Sequence, residues 1–123
     1  MFNVVFYEDE YGHSELNDEL LMLSSKSLSS KDARIQFNQI VYCIELLKKH
    51  GTRLPDKITK HIQDDIWELR PGNNRVLYFY FDHNTFVLLH MFRKKTQKTP
   101  KQEIKKAQKE CNDYKTRKGG DYL

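Results

Sequence analysis

Residues 66–92 read IWELRPGNNRVLYFYFDHNTFVLLHMF. Three apolar, β-prone runs are separated by two short polar turns, the pattern of an antiparallel β-meander. The first run covers 66–70. Pro71-Gly72-Asn73-Asn74 ends it with residues suited to a tight turn. The second run, 75–82 (RVLYFYFD), is almost wholly apolar or aromatic, as a central strand covered on both faces must be. His83-Asn84 makes the next turn, and 85–92 (TFVLLHMF) forms a third strand. Simple alternation puts His90 on one face with Phe86, Leu88 and Phe92.

Upstream, residues 2–7 are short, apolar and β-prone, and predict a first strand that joins the sheet. Leu16, Leu20 and Leu23 recur at helical spacing, which predicts a helix over 14–25. A serine-rich break follows, in which Ser29 with Asp32 has the form of a helix start. Ala33, Phe37, Ile40, Val41, Ile44 and Leu47 then make one apolar stripe. Lys48, Lys49 and His50 suit the negative end of that helix, and Gly51 suits its stop. The two helices form an antiparallel hairpin. Residues 51–65, with Pro55, read as a polar connection.

Downstream, Thr99, Pro100 and Gln102 form a capping sequence for a last helix. Its apolar stripe is Ile104, Ala107, Cys111 and Tyr114. After Tyr114 the chain is expected to fray. The order is therefore β-α-α-β-β-β-α, an α+β fold with an N-terminal strand and helical hairpin packed on a small, mostly antiparallel sheet. One domain over 1–118 and a frayed tail over 119–123 are expected of 123 residues.

Composition narrows the function classes. Hydrophobic content of 38% with 31% charge is that of a water-soluble globular chain. No apolar run could span a bilayer. The opening MFNVVFYED has no basic start and turns acidic early, unlike a signal peptide. These features predict a cytoplasmic protein. Cys43 and Cys111, inside helices and without a CxxC neighbour, read as reduced, buried thiols. The five histidines show no metal-ligand spacing and there is no glycine-rich nucleotide loop, so no metal and no cofactor is called for.

Charge is uneven. Residues 93–118 carry eleven Lys/Arg against three Asp/Glu, a net +8, while the rest carries ten against fourteen, a net −4. A concentrated basic segment on a neutral to acidic body points to a local anionic partner or to a solvated helix face. The meander sharpens this. Arg70 ends its first strand, Arg75 opens its second, and Arg93, Lys94 and Lys95 end its third, with Lys98 and Lys101 following. Antiparallel order brings all of these to one rim. Such a cluster repels itself unless an anion joins it, and arginine grips phosphate with two prongs. The other reading is that Arg70 and Arg75 form surface salt bridges with Glu68, Asp64 or Asp65. His90 is either a satisfied, partly buried histidine or a general acid or base.

The segments Trp67-Glu68-Leu69-Arg70, Arg75-Val76-Leu77-Tyr78 and Leu88-Leu89-His90-Met91-Phe92-Arg93-Lys94-Lys95-Thr96-Gln97-Lys98-Thr99-Pro100 resemble the signature of RelE/ParE-superfamily toxins. The match is to the phage-related, HigB-like branch, with its "ELR" strand, "R-[IV]-L-Y" strand and "LLHxFxKKTxKTP" run. That run leads into a helix ending near Ala107 to Asp113-Tyr114. The resemblance implies a RelE-like fold and the toxin of a type II toxin–antitoxin pair. It further implies a ribosome-dependent mRNA endoribonuclease, in which the ribose 2′-hydroxyl attacks the adjacent phosphate without a metal. On it, Arg75, Arg70, His90 and Lys94 are the candidate catalytic residues. Arg93, Lys95, Lys98, Lys101 and Lys60 are candidate RNA contacts, Arg93 on charge alone. The implied partners are a helix-turn-helix antitoxin, joined in a hetero-oligomer, and the ribosome with its message. Other readings are a ParE-like inhibitor of DNA gyrase that cuts nothing, and a partner-binding domain without catalysis.

Overall fold

The computed structural model describes residues 1–119. Its elements are β1 (Asn3–Phe6), α1 (Glu15–Lys26), α2 (Lys31–His50), β2 (Thr59–Gln63), β3 (Ile66–Leu69), β4 (Asn74–Tyr80), β5 (Thr85–Arg93) and α3 (Lys101–Gly119). One five-stranded sheet runs in the order β1-β5-β4-β3-β2. β1 is parallel to β5 and every other pair is antiparallel. This is the expected α+β arrangement with one strand more. β2 lies in the stretch read as a polar connection. It is an edge strand whose sequence, TKHIQ, has only Thr59 fully buried, so no apolar pattern announces it.

Helices cover both faces of the sheet, which explains why β4 has little polar sequence. Val76 and Tyr78 face the α1–α2 hairpin, among Leu16, Leu20, Ile40 and Leu47. Leu77 and Phe79 face α3, among Ala107 and Cys111. Both cysteines are buried and free, as expected. Among the described residues no helix is long and apolar enough to cross a membrane.

Local chemistry sets the helix ends. Ser14 caps α1 by accepting from the backbone of Asn17. Ser30, one residue beyond the expected start, caps α2 through Ala33. Gly51 stops α2 at φ 60°, and a Cβ there would lie 2.8 Å from the Phe2 ring, so both conformation and space demand glycine. On α2, Cys43 is buried while Val41 is largely exposed, so the stripe sits slightly round the helix from the expected one.

One irregularity decides what faces what. Along β4 and β5, Tyr78 pairs with Leu88 but Leu77 pairs with His90, so Leu89 is an extra, bulged residue. Phe86 and Leu88 face the hairpin. Beyond the bulge the alternation is inverted, and His90 and Phe92 face α3. The expectation that His90 shares a face with Phe86 and Leu88 is therefore corrected.

Candidate functional site

Glu68 is the centre of the rim. It sits on β3, in register with Leu77 of β4 and with Lys60 of β2, on the α3 side of the sheet. Its side chain is 2% exposed. Oε1 accepts from Arg70 Nε at 3.1 Å and lies 3.7 Å from Arg75 Nε. Oε2 accepts from the Thr99 hydroxyl at 2.7 Å. A buried carboxylate is tolerable only with such company, because its desolvation must be offset by cations and donors. Arg70 and Arg75 thus pair with an acid, as the salt-bridge reading held, but with a buried one. Asp64 and Asp65 are engaged elsewhere, by Gln108 and Lys115.

The backbone fixes the two arginines further. Arg70 Nη1 donates to the Asp56 carbonyl at 3.0 Å. Arg75 Nη1 donates to the carbonyls of Gly72 and Asn74, each at 2.8 Å. Both side chains are held on two sides. Among the described residues the Nη2 group of neither donates a hydrogen bond, so each guanidinium keeps an edge to offer. Burial lowers the proton affinity of Arg75, Glu68 raises it and Arg70 lowers it again, with a net lowering. An arginine remains cationic through such a change.

The loop after β5 folds back over this pair. Lys94 N–H donates to the Asn73 carbonyl, Thr96 bonds to the Lys98 carbonyl, and Thr99 reaches Glu68. Thr99 was expected to cap α3, and its hydroxyl is spent on Glu68 instead. Arg75, Lys94, Lys95 and Lys98 line a small cavity above Glu68, of about 10 Å³, the size of one water. Arg93 stands opposite Asn74 in the ladder, at the same rim. Lys60 is exposed on the neighbouring strand and Lys101 is the exposed first residue of α3. Among the described residues, none of Lys60, Arg93, Lys94, Lys95, Lys98 or Lys101 is in an ion pair. The structure thus gathers Arg70, Arg75, Lys94, Lys95 and Lys98 around one carboxylate, a surplus of positive charge facing outward.

His90 is placed differently. It is 2% exposed beneath α3, with Nδ1 2.5 Å from Glu110 and Nε2 3.1 Å from Glu103. Both ring nitrogens are engaged, and the helix is held by a histidine between two of the helix's carboxylates, Glu103 and Glu110, about two turns apart. The sequence offered Glu68 only as one of three possible surface salt-bridge partners, and the Glu103–Glu110 pair was not singled out. The only available signal was an acid in an otherwise apolar strand (IWEL) and acids at spacing 103 and 110 in a basic helix.

Three cations of α3 are used for attachment. Lys106 bonds Glu15 at 2.7 Å and Lys115 bonds Asp65 at 2.6 Å. Arg117 bonds Asp113 and the Glu8 carbonyl, and the Tyr7 hydroxyl donates to Asp113 at 2.7 Å. The Tyr7 and Arg117 bonds hold the Asp113 carboxyl below its usual range. Burial and Asp113 push the Tyr7 hydroxyl up to about 12. These contacts keep residues 115–118 helical where fraying was expected. Of the expected tail, 120–123 lies outside the described residues.

A family model described as phage-derived protein Gp49-like (DUF891) matches residues 26–112, which includes α2, the whole meander and most of α3. A search of the curated proteins finds no match.

Proposed function

This chain belongs to the Gp49-like family of phage-derived proteins, a toxin-like family of the RelE/HigB type, and on that premise we propose that it is the toxin of a type II toxin–antitoxin pair that cuts messenger RNA on the ribosome. The observation that carries this reading is the arginine pair, Arg70 and Arg75, aligned by one buried carboxylate beneath three lysines that have no ion-pair partner among the described residues.

In the proposed reaction the ribose 2′-hydroxyl gives its proton to water and attacks the adjacent phosphorus, while the bond to the 5′-oxygen of the next nucleotide breaks and that oxygen takes a proton from water, leaving a 2′,3′-cyclic phosphate and a 5′-hydroxyl. Negative charge grows on the non-bridging oxygens. Arg75, more buried and fixed by two carbonyls, is the principal ligand for it, and Arg70 the second. Lys94, Lys95 and Lys98 hold the flanking phosphates, with Arg93, Lys101 and Lys60 as outer contacts. Glu68 positions the two arginines and does not contact the substrate. His90 acts as the anchor of α3, since both of its nitrogens are engaged away from solvent.

Residues 1–118 form the toxin domain in this account, and it works in the cytoplasm. Its partner is a helix-turn-helix antitoxin that holds it in a hetero-oligomer until release. Induction of the chain in cells, with mapping of messenger 5′ ends by primer extension, tests the reading. New ends that appear with the wild type and vanish with Arg75→Ala are expected. Growth arrest with intact messages would overturn it.

A further inference from the structure

We propose that the free edge of β1 docks an extended segment of a partner protein, one that alternates basic with β-branched apolar side chains and joins the sheet as a further strand. The inference stands apart from the nuclease reading, because no residue of this site lines the space above Glu68.

β1 ends the sheet and pairs with β5 alone. The amides of Asn3 and Tyr7 donate to the carbonyls of Asn84 and Leu88, on the β5 side, at 2.7 and 2.8 Å. Backbone groups of alternate strand residues point to opposite sides, so the N–H and C=O of Val4 and Phe6 point away from β5. Among the described residues these groups have no hydrogen-bond partner. Upstream the edge is closed, because the Phe2 amide donates to the Lys48 carbonyl at 2.8 Å. The opposite edge strand, β2, is blunted by Lys60 and by an irregularity between His61 and Gln63. β1 reads NVVF, with no charge, proline or bulge, and Val5 is 37% exposed. An open edge of this kind accepts an added strand, and pockets for alternate side chains supply the specificity.

Such pockets are present. A groove of about 540 Å³ lies toward the start of α1, and one of about 250 Å³ lies toward the end of α3. Val5, Phe6 and Glu8 border both, so the two grooves meet along the edge itself. A strand laid there sends successive side chains into them in turn. The α1-side groove has Glu8 and Asp18 on its wall. Among the described residues Glu8 has no ion pair, and Asp18 meets only His13, at 3.1 Å. This groove suits an arginine or lysine whose stem lies on Val4 and Phe6. The α3-side groove has Arg117 and Lys118, which exclude a cation, beside the apolar surface of Val5 and Tyr114. It suits valine or isoleucine. A slip of one residue would set cations against Arg117 and Lys118, so charge fixes the register. A second copy of this chain fits the grooves poorly, because its Val4 and Phe6 are packed on its own core.

NMR titration of the whole chain with a blocked heptapeptide alternating arginine and valine tests this. The Val4 and Phe6 amides are expected to shift and to exchange with solvent about tenfold more slowly in the complex, while Arg75 and Lys94 stay unmoved. The same peptide, N-methylated on the amides that would meet β1, should not bind. A peptide alternating glutamate and valine should bind about tenfold more weakly. Glu8→Lys with Asp18→Lys, both at exposed positions, should reverse that preference. Shifts at the rim in place of β1, unchanged exchange at Val4 and Phe6, or equal binding by the N-methylated peptide would overturn the proposal. So would a free chain that sediments as a dimer with these two amides already protected, since a second copy would then hold the edge.

Discussion

The rim and the C-terminal helix both concentrate positive charge, and three cations of the helix have the acidic partners that the rim lysines lack among the described residues. On α3, Lys106, Lys115 and Arg117 each meet an acid, Glu15, Asp65 and Asp113. At the rim, one acid serves two arginines, and Lys94, Lys95 and Lys98 have no acid partner among the described residues. A basic stretch of sequence thus separates into cations that fasten the helix to the body and cations that await an anion. The number of acids within reach divides the two, and the count of lysines does not.

The difference can be attacked at its strongest point. Glu68→Ala leaves two arginines facing each other with no buried counter-charge. It should cost about 3–5 kcal/mol of stability, read from denaturant unfolding. Single replacements of Lys106 or Lys115, in half-exposed pairs, should cost within about 1 kcal/mol. Equal losses would erase the distinction.

RNA binding offers a second comparison. Each phosphate contact to a single strand contributes about 0.7 to the slope of log affinity against log salt. Lys94→Ala with Lys95→Ala should reduce that slope by about 1.4. Lys106→Ala with Lys115→Ala should leave it unchanged, since those charges are already neutralised. A slope that falls equally in both double variants would show that α3 is part of the RNA surface.

The smallest effect concerns acid. Asp113 has a lowered carboxyl affinity, so its stabilisation is present above the unfolded value, about 3.9, and is lost as pH falls through the lower folded one. The Tyr7 ring resonances should report this loosening of the helix end in strong acid. The inflection should be absent in Asp113→Asn. The rim should not respond through this group, because Asp113 touches none of its residues.

How far the sequence disclosed all this depends on the element. The meander was legible because β4 and β5 are covered on both faces and must be apolar throughout. β2 was not, because an edge strand with one buried side chain needs no apolar pattern. The cation rim followed from strand order alone, since antiparallel strands return their ends to one edge. The placement of His90 did not follow, because a single bulged residue, Leu89, inverts the alternation, and nothing in TFVLLHMF marks it. Thr99 was read as a cap from local spacing, yet its hydroxyl answers to Glu68, 31 residues away. Local rules place elements well, and they cannot see a buried acid recruiting donors from a distant loop.

The most direct test of the central claim compares one residue from each region. Message cleavage on purified ribosomes is measured for the wild type, Arg75→Ala and Lys115→Ala, each confirmed folded. The account predicts a loss of about 100-fold or more for Arg75→Ala. For Lys115→Ala it predicts activity within about twofold of wild type, since an exposed pair contributes little. Cleavage that survives Arg75→Ala, or falls as far with Lys115→Ala, would contradict it.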